Sequence, residues 1–322
     1  MTREDTPSID AWTSYWQTGT GASCFSGRDL ELRLNKVWQG HVAGLADGAR
    51  VLDLATGNGT VARSCAAAAR ALNRRLQITA VDAAQIDPPR FVPDPQQLFR
   101  DVQFRGGVKL ESLPFADREF DGVVSQFGFE YAEEAAAARE AARVLAPAGQ
   151  LRLIIHARDG AVAGDIRYRV ERLQSVLGGD GPVALVLALA RAAEAGDTQL
   201  LKQKSAHLPA AIELTKELGR NPPADDSALF YASECLSLWA QRDNYWPADL
   251  RRSVEQGVET ARGVVMRQEQ MLRVARTAND IERLGKRLAD AGLSPAAATP
   301  IHDENRGVQI AWLLEAGRSG GR

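Results

Sequence analysis

The chain has 322 residues, 45% of them hydrophobic and 25% charged, with a formal net charge of −2. Those fractions exclude disorder as the main state, and 28 Gly and 3 Cys are too few for a collagen-like or disulfide-rich chain. The near-zero charge offers no bulk attraction to nucleic acid or an anionic membrane, and the length admits one large domain or two ordinary ones.

Residues 1–45 read as an N-terminal helical segment, with aromatic residues at Trp12, Tyr15 and Trp16 ahead of a Gly-rich stretch from Thr18 to Ala22. The polar start MTREDTPSID has no apolar core of the kind a signal peptide needs. From residue 46, short apolar runs alternate with helical patterns, the signature of βαβ units and a parallel sheet. Strands are expected over Arg50–Ala55, Gln77–Val81, Val102–Phe104, Asp121–Gln126 and Leu151–His156, with helices over Thr60–Leu72 and Glu133–Leu145. Asp87–Pro95 is too rich in Pro for one continuous helix. Residues 160–275 show only helical periodicity. A helix carrying Ile281, Leu284 and Leu288 then stops at Gly292, and strands are expected over Ala296–His302 and Gly307–Leu314. The reading is an α/β fold with a doubly wound, mostly parallel sheet, formed by 46–159 and 276–322. A helical insertion, 160–275, follows the fifth strand as a cap over the substrate or an oligomer interface.

The chemistry is concentrated in Val51–Thr60, VLDLATGNGT. A strand running into a Gly-rich turn and then a helix presents backbone N–H groups to a ligand at the sheet's carboxyl edge. Asp82 ends the next strand, 23 positions after Gly59, where an acid can accept both hydroxyls of a ribose. A dinucleotide site would have a third Gly. Here that Gly is missing, and Asp53 at the strand end would repel a pyrophosphate while suiting an ammonium.

At these residues the chain resembles the class I S-adenosylmethionine-dependent methyltransferases, in particular the small-molecule branch that includes ubiquinone and menaquinone methyltransferases. VLDLATGNGT is similar to their first motif and ITAVD to their second. LESLPFADREFDGVVSQ (Leu110–Gln126) and ARVLAPAGQLRLII (Ala142–Ile155) are similar to two further segments, in family order. The resemblance covers about half the chain. It implies a Rossmann-like methyltransferase fold, S-adenosyl-L-methionine as cofactor and a small-molecule methyl acceptor. Asp53 would then lie near the methionine end, while Ala55, Thr56, Gly57, Asn58 and Gly59 line the cofactor through backbone. Asp82 would bind the ribose with Ala83 beside the adenine, Leu110 and Glu111 would supply the adenine edge, and Ser125 and Gln126 would close the site under the sulfonium. Lys109 stands where the family often has an acid facing the adenine amino group.

Trp16, Glu130, Tyr131 and His156 are candidates for the substrate pocket. His156 ends the fifth strand, where a general base could act, and the N-terminal aromatics form either a helix packed on the sheet or a lid over the cofactor. Asp121 reads as a turn residue. Asn221-Pro222-Pro223-Ala224 reads as a helix-breaking loop rather than the N-P-P-Y of amine methylation on bases. The stretch Val183–Leu189 is core, dimer interface or pocket wall. Cys24, Cys65 and Cys235 carry no CxxC spacing, which points to reduced thiols in the cytoplasm and to no metal. The longest apolar run, Pro182–Ala190, is half of what a membrane span needs. The partners expected are therefore a small-molecule acceptor and neither nucleic acid nor membrane, with a homodimer left open. Two alternatives remain, a methyltransferase-fold subunit that binds without turnover and an NAD-dependent oxidoreductase.

Overall fold

The structure is a computed structural model, which describes residues 9–17, 28–223, 226–295, 297–303 and 307–318. In chain order these form α1 (Ile9–Trp16), α2 (Arg28–Ala43), β1 (Arg50–Leu54), α3 (Thr60–Ala71), β2 (Gln77–Val81), α4 (Pro88–Phe91), α5 (Pro95–Leu98), β3 (Val102–Arg105), β4 (Phe120–Gln126), α6 (Glu134–Val144) and β5 (Leu145–His156). A block of helices follows: α7 (Ala161–Leu177), α8 (Pro182–Ala195), α9 (Thr198–Ser205), α10 (Leu208–Leu218), α11 (Ser227–Ala240) and α12 (Pro247–Val274). The chain closes with α13 (Ala278–Asp290), β6 (Ser294–Pro295), β7 (Thr299–Asp303) and β8 (Val308–Gly317).

The strands make one sheet in the order β3-β2-β1-β4-β5-β8-β6, with β7 paired to β8. β1 to β5 are parallel, and β8 returns antiparallel to β5, Leu153 opposite Leu314. This is the expected mostly parallel, Rossmann-like arrangement with helices inserted after the fifth strand. Two departures are local. β5 begins at Leu145, six residues early, because the turn APAG stays extended around an αL residue, Ala148 at φ 63°, while Leu145 pairs with Phe120. β6 is only two residues long, below what periodicity can register. Ala296, in the strand expected over 296–302, lies outside the described residues, as do Cys24, Ala224 and the stretch Thr18–Ala22.

The chain divides into two compact units, Met1–Ala163 with Arg273–Arg322, and Gly164–Leu272. In the first, the central strands are apolar on both faces, as strands covered on both sides must be. One cluster joins Leu52, Val123, Leu151 and Leu314 to Ala137, Ala138 and Ala141 of α6 and to Ile281, Leu284 and Leu288 of α13. The alanines let α6 approach the sheet closely, and α13 turns a single apolar stripe inward at i, i+3 and i+7. α2 packs on α3 and buries Leu34, Trp38 and Val42. Arg74 donates to the carbonyls of Val42, Ala43 and Leu45, closing the C-terminal end of α2. Asp121 accepts the Arg50 N–H at 2.8 Å and so fixes the start of β1, a bracing role at the amino edge of the sheet.

The second unit has its own core. Val183, Leu185, Val186 and Leu189 of α8 are buried with Trp239 of α11 and Leu250, Val254 and Val258 of α12. The apolar stretch of α8 is therefore the inside of this unit. Ala161–Ala195 is long and apolar enough to cross a membrane by composition, but half of its most apolar window is buried and the helix is interrupted between Leu177 and Pro182. Asn221–Pro223 form part of the loop after α10.

Candidate cofactor and acceptor site

The site is built on the carboxyl edge of β1, β2, β4 and β5. At β1 the chain turns through three left-handed residues, Ala55 (φ 51°), Gly57 (φ 54°) and Gly59 (φ 78°), before entering α3. Gly accommodates that conformation freely, whereas Ala55 holds it at a steric cost of about 1–2 kcal/mol. Asp53 ties the turn to the helix, its Oδ2 accepting the Thr56 hydroxyl at 2.6 Å and the Ala62 N–H at 3.1 Å. Its Oδ1 is buried without a hydrogen-bond partner among the described residues. Burial pushes the Asp53 carboxyl up to about 7, against the two hydrogen bonds and with a further push from the charge of Asp82.

Asp82, at the end of β2, reaches the same turn. One oxygen accepts the Gly57 N–H and the other the Ala84 N–H, both at 2.8 Å. Burial raises this carboxyl to about 6, opposed by those two backbone donors. Ala83 is half-buried beside it, and Thr56 and Asn58 are buried. The segment leading to Leu110 is held on the same loop, since the Val108 N–H donates to the Asp82 carbonyl and that of Gly107 to Ala84. Leu110 is buried in the core cluster, Lys109 is exposed, and Glu111 accepts the Glu133 N–H at 2.9 Å ahead of α6. Ser125 donates to the Leu54 carbonyl at 2.8 Å, and Gln126 accepts the indole N–H of Trp38 at 2.8 Å.

α1 lies across these turns. A Cβ on Gly57 would stand 2.6 Å from the Trp16 ring, so the ring occupies the space that the missing side chain leaves. Thr13 accepts the Gln85 N–H, Trp12 stacks on Trp16 with ring centres 5.8 Å apart, and Trp12 meets Tyr131 edge to face at 5.6 Å. One short helix thereby touches the turns after β1, β2 and β4.

After β4 the chain runs through Phe127 (φ 57°) and Gly128 into a single 3-10 turn, Phe129–Tyr131. A Cβ on Gly128 would lie 2.5 Å from the Cβ of Ala55, so this turn is pressed against the Gly-rich one. Glu130 and His156 meet there, 2% and 0% exposed. Glu130 Oε1 accepts the His156 backbone N–H at 3.0 Å and lies 2.7 Å from Nδ1, while the Phe127 ring stacks on the imidazole. Arg276 donates to the Glu130 carbonyl and pairs with Glu134 at 2.7 Å. Ser125, Glu130, Tyr131 and His156 thus converge from β4 and β5 on the edge that carries Asp53 and Asp82. Sequence reading did not reach Thr13, Trp38, Gly128 or Arg276. Gly128, two residues beyond the strand end at Gln126, carries the visible signal.

Residues 51–149 match the family model of a methyltransferase domain. The demethylmenaquinone methyltransferase of Thermotoga maritima is 32% identical over 131 residues, 38% of this chain, and the chain spans about half (52%) of that protein's length. Among solved structures, the 1,6-didemethyltoxoflavin-N1-methyltransferase of Burkholderia thailandensis aligns at 10% identity and TM-score 0.46, covering 97% of this chain and 88% of its own. The 4+2 cyclase SpnF aligns at 18% identity and TM-score 0.42, covering 97% and 94%. The β1–turn–α3 unit, the acid after β2 and the reversed β8 fall on the sheet that holds the matched segment. Residues 51–149 thus match a methyltransferase domain and lie on a mostly parallel, Rossmann-like sheet with helices inserted after its fifth strand.

Proposed function

We propose that this chain transfers the methyl group of S-adenosylmethionine to a small-molecule acceptor. The observation that carries the reading is the pair of buried carboxylates, Asp53 and Asp82, braced on one Gly-rich turn within the matched domain. The residues fit the cofactor. Asp53 Oδ1 is a buried acceptor that a ligand ammonium would satisfy, and among the described residues each Asp82 oxygen accepts one hydrogen bond, which leaves lone pairs for ribose hydroxyls. Asp53, Ala55–Gly59, Asp82, Ala83, Leu110, Glu111, Ser125 and Gln126 would hold it, with Trp16 over Gly57.

The cofactor supplies an electrophilic methyl on a sulfonium. The protein's share is to align the acceptor and exclude water, for which α1 and the turn Gly128–Tyr131 are placed. Keeping Asp53 and Asp82 for the ammonium and ribose holds those two charges away from the sulfonium, where pairing would stabilise the ground state. The finer assignment, to the ubiquinone and menaquinone methyltransferases, is supported by the motif wording and by the Thermotoga maritima relative. Buried, free Cys65 and Cys235 support a reducing compartment such as the cytoplasm.

The test is calorimetric titration with S-adenosylhomocysteine, then label release from methyl-labelled S-adenosylmethionine across acceptors. Asp82→Ala should weaken binding by about 1–3 kcal/mol from lost charge-assisted hydrogen bonds. Unchanged affinity would refute the site. Binding without turnover on any acceptor would favour a binding subunit.

A further inference from the structure

The mechanism of alignment leaves one buried group unused. Glu130 is 2% exposed, and its two oxygens differ. Oε1 is filled by two donors of His156, the backbone N–H at 3.0 Å and Nδ1 at 2.7 Å. A carboxylate oxygen only accepts, so Nδ1 carries its proton in this arrangement. Oε2 is buried and has no hydrogen-bond partner among the described residues. A buried acceptor left unsatisfied is costly, more so when charged, and a ligand donor at Oε2 would relieve that cost.

Everything around Glu130 holds it still. Phe127 stacks on the imidazole with ring centres 4.1 Å apart, Arg276 grips the Glu130 carbonyl and Glu134, and the Arg276 N–H donates to the His156 carbonyl at 2.8 Å. The turn carrying Glu130 touches Ala55 of the Gly-rich turn through Gly128. The turn that carries Glu130 thus lies against the turn that Asp53 and Asp82 brace.

Resting on the methyl-transfer reading, we propose that Glu130 Oε2 receives the hydrogen of a protic acceptor, a hydroxyl or an amine N–H, with His156 as the positioning residue that fixes the carboxylate. The acceptor's oxygen or nitrogen uses its lone pair to bond the methyl carbon, and the carbon–sulfur electron pair stays on sulfur. The O–H or N–H proton passes to Glu130 Oε2 and afterwards to solvent. The acceptor class is therefore neutral molecules with an ionisable hydroxyl or amine, and fully alkylated analogues are excluded.

The probes are matched neutral pairs that differ by the hydrogen alone: phenol against anisole, catechol against 1,2-dimethoxybenzene, aniline against N,N-dimethylaniline. Each is titrated calorimetrically into the intact protein saturated with S-adenosylhomocysteine. The protic member of at least one pair should bind about tenfold more tightly, the size expected of one hydrogen bond to a charged acceptor. Glu130→Gln, which keeps the shape, should bind S-adenosylhomocysteine within about twofold of the parent and lose that preference. No preference in the parent for any pair, or a preference that survives Glu130→Gln, overturns the proposal while leaving the cofactor site intact. Failure of the parent to bind S-adenosylhomocysteine overturns the methyl-transfer reading itself, and this proposal with it.

Discussion

Cofactor binding should weaken steeply as pH falls from 8 to 6, because its carboxylates are held near neutrality. Burial carries Asp53 from the usual 3.8 to about 7 and Asp82 to about 6. For Asp53 that corresponds to about 4 kcal/mol of disfavoured ionisation in the free protein. Both folded values lie above the unfolded ones, so the free fold binds protons more tightly than the unfolded chain. Their contribution to its stability is greatest at low pH and is lost as pH rises through about 6 to 7. A ligand ammonium demands the opposite, the ionised forms. At pH 8 Asp53 is ionised about nine times in ten, and at pH 6 about one time in eleven; Asp82 goes from nearly full to about half ionisation. The dissociation constant for S-adenosylhomocysteine should therefore rise roughly twentyfold between pH 8 and pH 6, with more than one proton released per ligand at pH 6. Calorimetry in two buffers of different ionisation enthalpy measures both quantities. In Asp53→Asn the pH effect should shrink to about twofold, from Asp82 alone, and the free protein should melt at a higher temperature at pH 8. A dissociation constant that is the same at pH 6 and pH 8, or an undiminished effect in Asp53→Asn, would refute the reasoning.

Gly128→Ala places a Cβ 2.5 Å from that of Ala55, so the two turns must part. The cost should be about 1–3 kcal/mol in urea unfolding, with weaker S-adenosylhomocysteine binding in titration. Arg172 in α7 pairs with Asp226 and donates to the Leu218 carbonyl at 2.9 Å, the two side chains being 12% and 6% exposed. Arg172→Met leaves Asp226 charged and partly deprived of donors, and should cost about 3 kcal/mol, read as a lower melting temperature of the Gly164–Leu272 unit by calorimetry.

What the sequence disclosed, and what it withheld, follows the range of the forces involved. The parallel strands, the Gly-rich turn and the end of β2 at Asp82 are written in contiguous residues. Apolar runs of five to seven and paired glycines need no distant partner to be recognised. The pairing of Glu130 with His156 joins positions 26 apart, one in the turn after β4 and the other at the end of β5, so sequence alone presents them as separate pocket candidates. Gln126 meets Trp38 across 88 positions, and Thr13 meets Gln85 across 72. Such contacts are fixed by strand order and by the packing of α1 and α2, which periodicity does not encode. Glu111 illustrates the reverse. The family resemblance implies an adenine contact for it, and one oxygen of its carboxylate also accepts the N–H of Glu133, a bond visible only once α6 is placed.

Three buried carboxylates, Asp53, Asp82 and Glu130, stand at or just beyond the ends of neighbouring strands on one edge of the sheet, and two of them have an oxygen with no donor among the described residues. A fold selected only for stability would fill these positions with apolar or neutral groups, as it does at Val51, Leu52, Val123 and Val124 a few residues earlier in the same strands. The cost must be carried elsewhere. The aliphatic contacts of α6 and α13 with the sheet offset it. The charge at this edge is what the proposed cofactor and acceptor would neutralise. The acids at β1 and β2 suit a cation and a sugar, and the acid after β4 suits a hydrogen that leaves. Neutralising Asp53 should therefore strengthen the free protein and weaken the bound one, whereas neutralising Glu130 should leave the cofactor complex intact and change only which acceptors it holds.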